Sequence, residues 1–290
     1  MERKKFSHQS KSSEFASAGG ERGAQIITRS AAMSDVANMV EIDLRAFSSV
    51  YGGYDKNEDE LRAELTEKFT NRIKLVGGQY IKIAERDGEM VGFIACCPTS
   101  EDPEDFRSWE DSTDNGTLND TYDPNGKNLY IVSLSMIPRG SAELAQNMLF
   151  GSILSELVKG DFNLAYFESR VPGLRRWMRS EARRMGQDFQ NLNDEQKDAY
   201  ALQYFNLKKE KNGKMVPKDK LLEIYDSAGC RFVDIYRDAY QDELSMNYGV
   251  LAIFDNPMPE RARRIPVVRK MASLAIRQAA KSNYLMEKYF

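Results

Sequence analysis

The sequence predicts an α/β (α+β) fold, in which a mixed central sheet is flanked by helices. Segments with strand-like alternation and segments with helical periodicity follow one another from residue 24 to residue 256. The chain has 290 residues, of which 41% are hydrophobic and 29% charged, so it is long enough to bury a sizeable core. No internal repeat and no linker interrupts the alternation, which favours one domain rather than two.

The domain has extra segments at both ends and one inside it. Residues 1–23 are polar, with little to bury, and predict a disordered tail. Residues 170–217 form a charged, helical insertion after the fifth strand, and residues 257–290 form a helical tail. An insertion of this length inside a compact domain predicts a lid over a binding site.

Composition excludes several classes of function. The net charge of −3 gives no basic field that would attract nucleic acid or a membrane surface. No apolar run is long enough to span a bilayer and no apolar signal core is present, so a cytoplasmic protein with reduced Cys96, Cys97 and Cys230 is expected. The single histidine, His8, lies in the polar tail, which argues against a histidine-based triad or zinc site, and no metal is expected.

The first half of the domain predicts a strand, two helices and a hairpin. Ser34 is the expected N-cap of the first helix, and Asp87-Gly88 is the expected hairpin turn. The segments, in order, are "AQIITRSA", "MSDVANMVEIDLRAF", "NEDELRAELTEKFTNRIKLV" and "QYIKIAERDGEMVGFIACC". The turn "SSVYGGYD" separates the helices, and the polar region 99–127 predicts a loop.

The second half predicts four more strands and three helical segments. Pro138 ends the strand "NLYIVSLSMIP", the helix "SAELAQNMLFGSILSELVKG" ends near Gly160, and "NLAYFES" is the fifth strand. After the insertion, the helix of "LLEIYDSAGCRF" ends at Gly229, and "RFVDIYRDAY" and "LSMNYGVLAIFDNP" are strands. The tail "PERARRIPVVRKMASLAIRQAAKSNYLMEKYF" predicts a basic amphipathic helix that packs on the body or on a second subunit, so a homodimer is one alternative.

This order of elements resembles the GCN5-related N-acetyltransferase (GNAT) family. Three stretches resemble parts of the family. "IAERDGEMVGFIA" resembles its central hairpin, and "LYIVSLSMIP" resembles the strand along which acyl-CoA lies. "IYDSAGCRF" resembles its Y-x-x-x-G-F ending, with Cys230 at the usual aromatic position. The likeness covers about residues 24 to 256. "VPG" and "DELSMNYGVLAIFDNP" resemble a subgroup sometimes fused to carbon–nitrogen hydrolases.

The resemblance implies acetyl-CoA as acyl donor and places its contacts on the fourth strand and the following turn. The pantetheine arm would pair with main-chain groups, and the diphosphate would bind N–H groups at a helix N-terminus. The residues implied are Leu134, Ser135, Met136, Ile137, Arg139, Gly140, Ser141, Ala142, Leu144 and Ala145.

The phosphate-binding turn departs from the family pattern. Starting from Arg139, small residues are expected where this chain has Ala142 and Leu144, and leucine admits a phosphate less closely than glycine does. Either the loop is rearranged and Gly140 and Ser141 make the close approach, or CoA affinity is weakened or lost. The same stretch is also compatible with an ordinary helix start that has Ser141 as N-cap.

Acyl transfer needs a base for the acceptor ammonium and an acid for the leaving thiolate. By resemblance, Tyr225 faces the thioester sulfur and protonates the thiolate; its alternative role is packing between helix and sheet. Glu168, at the end of the fifth strand, is the nearest candidate base. Its alternative is a salt bridge to Arg170, Arg175 or Arg176.

The acceptor is expected between the first two helices, where the resemblance implies Glu41, Asp43, Tyr51 and Tyr54. The function that follows is direct acyl transfer from acyl-CoA to a small amine. The alternatives are a non-catalytic acyl-CoA-binding or scaffold module, and an enzyme of the same fold that uses another thioester donor. The aromatic residues of the insertion either roof the pocket or, for most of them, form a core of their own.

Overall fold

A seven-stranded sheet forms the centre of the computed structural model, which describes residues 26–52, 56–137, 142–239 and 241–281. The strand order is β1-β2-β3-β4-β5-β9-β8. All neighbouring strands are antiparallel except β4 and β5, which are parallel, so the mixed sheet predicted from the sequence is confirmed. The strands are β1 (Ile26–Ser30), β2 (Ile81–Arg86), β3 (Glu89–Thr99), β4 (Asn128–Met136), β5 (Leu164–Arg170), β8 (Arg231–Tyr236) and β9 (Gly249–Asp255).

Helices cover both faces of this sheet. On one face α1 and α3 enclose a core around Phe69 and Phe93; on the other, α5 packs Leu149 and Leu157 against the sheet. The period-two alternation of the strands supplies both cores, because successive side chains point to opposite faces. The helices are α1 (Val36–Ala46), α2 (Ser48–Tyr51), α3 (Glu58–Val76), α4 (Trp109–Thr113), α5 (Ala142–Gly160), α6 (Leu174–Arg184), α7 (Asp194–Phe205), α8 (Lys220–Ser227), α9 (Glu260–Arg263) and α10 (Pro266–Ala280).

The start of α1 differs from the expectation. A single 3₁₀ turn, Met33–Asp35, precedes the helix, and the Asp35 carboxylate accepts the N–H of Ala32 at 2.8 Å. Arg29 holds this carboxylate with a 2.7 Å ion pair. The prediction of Ser34 as the N-cap is therefore wrong, since the neighbouring aspartate has an arginine partner that fixes it at the turn.

The insertion after β5 contains helices α6 and α7 and also a small antiparallel hairpin, β6 (Lys208–Lys211) and β7 (Lys214–Pro217). Its turn is Asn212-Gly213, where both residues have positive φ (51° and 77°), as the tight hairpin turn requires. Together with α8 and β9, the insertion forms a third core, in which Met178, Ala201 and Leu222 are buried. The sequence analysis treated this segment as helical and did not identify the hairpin.

The C-terminal helix packs on the body through its small and polar side chains. Ser273 Oγ lies 2.6 Å from Ser155 Oγ of α5, and Arg277 donates to the Glu156 carboxylate at 2.6 Å. A Cβ atom at Gly151 would lie 2.4 Å from the Cβ of Ala280, so the two helices are in close contact there.

Several large apolar residues of the same helix are exposed and do not pack on the body, while the alternative of packing on a second subunit stays a prediction. Val267, Met271 and Leu274 are 66%, 68% and 61% exposed. None of the helices in the described part of the chain is both long and apolar enough to cross a membrane.

A buried cluster of charged side chains joins α10 to α5 and to β2 of the sheet. Removing one of these charges should measurably lower the stability of the protein. Glu156 is 2% exposed and its carboxylate lies 3.5 Å from the ammonium of Lys82, which is 7% exposed. Glu156→Ala leaves Lys82 buried and short of its carboxylate partner, so we expect the free energy of unfolding to fall by about 3 kcal/mol in urea titrations.

The matched control is Asp255→Ala, which removes an exposed ion pair with Arg231. We expect this change to cost less than about 1 kcal/mol, because solvent screens exposed pairs. Equal losses for the two variants would contradict the importance of the buried cluster.

Candidate active site

The parallel strands β4 and β5 pair over only three residues. The paired positions are Asn128–Leu164, Leu129–Ala165 and Tyr130–Tyr166. Beyond Tyr130, β4 continues to Met136 beside β3, while β5 continues to Arg170 beside β9. A wedge-shaped gap therefore opens in the middle of the sheet, between β4 and β5.

A β-bulge marks the point where β4 turns away. The register with β3 shifts between Ala95 and Cys96, which face Ser133 and Ile131, so Val132 is the extra residue. The indole N–H of Trp109 donates to the Val132 carbonyl at 2.9 Å. Bulges bend the strand that carries them, and here the indole of α4 satisfies the carbonyl that the bulge displaces.

The main chain of β4 beyond the bulge turns alternately to β3 and to the gap. The Ile137 N–H donates to the Val91 carbonyl of β3 at 2.9 Å. In an antiparallel pair, residues at alternate positions point their N–H and C=O groups to opposite sides. The main-chain groups of Leu134 and Met136 are consequently directed to the gap. Gly92 lies opposite Met136, and a Cβ there would be 2.1 Å from the Met136 sulfur.

A cavity of about 520 Å³ occupies this region. Residues of α1, α3 and α4 line one side of it, β4 and β5 line the middle, and α5 and α8 line the other side. The volume is in the range of small-molecule sites, and the cavity reaches both faces of the sheet at the gap.

The residues predicted to hold CoA have different positions. Leu134 and Met136 line the cavity, whereas Ile137 packs partly buried against the α1/α3 core. Ala145 is buried on α5 and Leu144 is half-buried on the same helix. Ser135 is fully buried and is not among the cavity-lining residues. Arg139, Gly140 and Ser141 lie outside the described residues, and Ala142 is described only as the first residue of α5.

Tyr225 lies in the last turn of α8 and lines the cavity. Its ring makes edge-to-face contacts with Phe167 of β5, at 4.8 Å between centroids, and with Phe150 of α5, at 5.9 Å. Burial raises the pKa of the Tyr225 phenol, which therefore stays protonated at neutral pH. The ring packs between helix and sheet, and its hydroxyl has no hydrogen-bond partner among the described residues.

Glu168 lies on β5 two residues beyond the last residue paired with β4 and lines the same cavity. The Tyr130 hydroxyl donates to its carboxylate. Burial raises the pKa of Glu168 to about 8, and the hydrogen bond from Tyr130 opposes part of that shift. The alternative, a salt bridge from Glu168 to an arginine, is absent among the described residues. Arg170 pairs instead with Asp242 at 2.9 Å, and Arg175 pairs with Glu243 at 2.7 Å.

A second tyrosine–carboxylate pair lies beside the first. Tyr130 and Tyr166 face each other edge-to-face across the last paired position, with ring centroids 5.1 Å apart. The Tyr166 hydroxyl donates to Glu101 at 2.6 Å. Sequence reasoning did not identify Tyr130, although a tyrosine within the apolar stretch "NLYIV" is a signal for a buried phenol that needs a partner.

The acceptor residues predicted on α1 and α2 divide between the cavity and the surface. Asp43 and Tyr51 line the cavity: the Tyr51 hydroxyl donates to Asp43, and so does Ser135 Oγ, at 2.7 Å. Burial raises the pKa of the Asp43 carboxyl. The side chain of Glu41 is 46% exposed and pairs with Arg62, away from the cavity lining, and Tyr54 lies outside the described residues.

The predicted lid, residues 170–217, contributes a single residue to the described lining of the cavity. That residue is Arg170, the last residue of β5, whereas the aromatic residues Trp177, Phe189, Tyr200 and Phe205 pack against the third core. The role of the insertion as a lid stays a prediction. Within the described ranges, no cluster of three or more His, Cys, Asp or Glu side chains could hold a metal ion.

Comparison with known proteins identifies the fold. No protein-family model matches the chain, and no curated protein sequence does so either. Among solved structures, the chain is similar to the loading GNATL domain of CurA from Lyngbya majuscula, with 12% identity, a TM-score of 0.56, and coverage of 80% of this chain and 98% of that one.

The chain is also similar to the GphF GNAT-like decarboxylase in complex with isobutyryl-CoA, with 16% identity, a TM-score of 0.51, and coverage of 79% of this chain and 99% of that one. At these identities the likeness concerns the fold alone, which in this chain is a seven-stranded mixed sheet flanked by helices. The chain therefore has the fold of the GCN5-related N-acetyltransferases.

Proposed function

We propose that this protein is an acyl-CoA-dependent N-acyltransferase that transfers an acyl group, with acetyl-CoA as donor, directly to a small amine. The observation that carries the proposal is the gap between β4 and β5, because Glu168 and Tyr225 line the one cavity that opens there. A carboxylate with raised pKa and a protonated phenol in the same cavity are the two proton-transfer groups that the reaction needs.

The donor would lie along the free edge of β4. Main-chain groups of Leu134 and Met136 directed to the gap are available to pair with the amides of the pantetheine arm, as an added strand would. One of their N–H groups would also stabilise the oxyanion that forms on the thioester carbonyl. This arrangement supports CoA as the ligand on chemical grounds, and the GphF structure is itself a complex with isobutyryl-CoA.

The chemistry proceeds by addition and elimination. Glu168 takes a proton from the acceptor ammonium, and the neutral nitrogen attacks the carbonyl carbon of the thioester. The tetrahedral intermediate then breaks its C–S bond, and the departing thiolate takes the proton of the Tyr225 hydroxyl. The Tyr225 phenolate takes the second proton of the acylated nitrogen, which leaves a neutral amide and restores the phenol, and Glu168 releases its proton to solvent. A carboxylate with a pKa of about 8 is a stronger base than an ordinary glutamate.

Two other functions would use the same cavity. A non-catalytic acyl-CoA-binding module is compatible with Leu144 at a position where the family has a small residue, and another thioester reaction is compatible with the similarity to a decarboxylase. The proton-transfer groups favour catalysis over binding alone. Decarboxylation needs a cation or donors for a substrate carboxylate, and three of the cations that line this cavity, Lys68, Arg72 and Arg170, already have partners within the chain.

The other sequence expectations belong to this proposal. A cytoplasmic location and a homodimer are predictions, as is the relation to the subgroup fused to carbon–nitrogen hydrolases. Mass spectrometry of thioesters that copurify with the protein tests the donor without any assumption about the acceptor. Recovery of no acyl-CoA, together with no thermal shift on adding acetyl-CoA, would argue against the proposal.

The first prediction concerns the acid. Tyr225→Phe keeps the ring contacts with Phe167 and Phe150 but removes the proton donor. We expect acetyl-CoA affinity to be unchanged and kcat to fall by about 10²-fold. Tyr200→Phe, which removes a phenol bonded to Gln187 in the insertion, is the matched control and should keep full kcat. Wild-type kcat in Tyr225→Phe at every pH would show that the phenol only packs.

The second prediction concerns the base. Because burial raises the pKa of Glu168 to about 8, kcat/KM should be lost as pH falls through about 8 and should level off above it. Glu168→Gln should lower kcat/KM by about 10²-fold or more and abolish this step in the profile.

Tyr130→Phe tests whether the pKa of Glu168 sets the pH profile. The hydrogen bond from Tyr130 lowers the pKa of Glu168, so its removal should move the midpoint of the profile to higher pH. A midpoint that stays in place, with the acceptor unchanged, would mean that a group other than Glu168 sets the profile.

A further inference from the structure

The charges that line the cavity are unevenly paired. Three of its four cations have partners: Lys68 pairs with Glu64 at 2.7 Å, Arg170 with Asp242 at 2.9 Å, and Arg72 donates to the Gly116 carbonyl at 2.6 Å. The fourth, Arg45, is exposed.

Three of the four cavity carboxylates have no cationic partner, but two of these three accept hydrogen bonds from hydroxyl groups. Asp43 accepts from two hydroxyl groups and Glu168 from one, while Glu64 pairs with Lys56 and Lys68. Glu110 has neither a lysine or arginine within ion-pair distance nor a side-chain hydrogen bond among the described residues. Burial raises the pKa of the half-buried Glu110, which lines the same cavity as Glu168.

Two hydrogen bonds to or from β4 position the segments that carry these two carboxylates. Glu110 follows Trp109, whose indole is bonded to the Val132 carbonyl at the bulge of β4. Glu168 is on β5 and is bonded to Tyr130, two residues before that bulge. Ser133, directly after the bulge, also lines the cavity, and its buried hydroxyl has no partner among the described residues. The unpartnered Ser133 hydroxyl and the unpartnered Glu110 carboxylate line one cavity and indicate groups that a ligand satisfies.

We infer that the acceptor is a diamine: the nitrogen to be acylated lies at Glu168, and a second nitrogen, cationic throughout, binds Glu110. The inference rests on the proposed function. The reacting nitrogen loses its proton and its charge before it attacks, so it cannot neutralise Glu110 during the reaction. A second ammonium group can, and Trp109 in the cavity wall is the type of side chain that attracts cations most strongly.

The experiment compares diamines with monoamines of equal length. Straight-chain diamines of three to six carbons, the corresponding monoamines and the corresponding amino acids are assayed with acetyl-CoA by CoA release. The expected result is that kcat/KM for the best diamine exceeds that of its monoamine by about tenfold or more, and that the amino acid is the poorest acceptor, because its carboxylate would face Glu110.

Variants assign this preference to a residue. Glu110→Gln should reduce the ratio of diamine to monoamine kcat/KM to within about threefold. Glu64→Gln removes another cavity carboxylate, one that is already paired with Lys56 and Lys68, and should leave the ratio as in the wild type. Equal use of diamine and monoamine by the wild type, or a ratio that survives Glu110→Gln, would overturn the inference.

The failure of the proposed function can be distinguished from the failure of the diamine inference. If acetyl-CoA binds but no amine releases CoA, the N-acyltransferase proposal is wrong, and calorimetric titration of the same diamines then decides the inference. Binding of the diamine at least tenfold tighter than the monoamine, lost in Glu110→Gln, would support a dicationic ligand. Equal or undetectable binding of both would overturn it.

Discussion

The end of main-chain pairing between β4 and β5 is the constraint on which the rest of the site depends. If the two strands stayed paired beyond Tyr130 and Tyr166, the main chain of Leu134 and Met136 would be used within the sheet and no cavity would form. Buried main-chain groups without partners are costly, so a sheet that opens in this way needs a ligand or water at the free edge. The bulge at Val132 keeps the edge open, since it bends β4 where the pairing ends.

The last paired position of β4 and β5 is also where the chain holds two buried carboxylates. Tyr130 and Tyr166 lie opposite each other in the last pair, and their hydroxyl groups donate to Glu168 and Glu101. The contact of the two rings and the two hydrogen bonds hold both carboxylates in fixed orientations. Burial makes an ionised carboxylate unfavourable here and so raises the pKa of Glu168. The packing around the last pair of β4 and β5 is therefore also the cause of the basicity of Glu168.

Local sequence patterns predict the elements and the residues at their ends, but not the contacts made across the fold. The helix that ends near Gly229 and the strand that carries Glu168 follow from periodicity, and the structure has α8 and β5 there. Trp109 and Glu110 lie in a five-residue helix within a polar region, and a bond to Val132, far along the chain, positions them. The apolar stripe of α10 suggested its packed face, but close packing at Gly151 and buried ion pairs decide the contact.

The buried cluster around Glu156 also bears on how the protein is made. Lys82 belongs to β2, Glu156 to α5 and Arg277 to α10, so the three charges can meet only after residues 82 to 277 have all left the ribosome. Before α10 docks, Glu156 has only Lys82 and Lys159 as cationic partners, and the face of α5 around Gly151 is not yet covered. A nascent chain that stalls before Arg277 therefore keeps that face open to water.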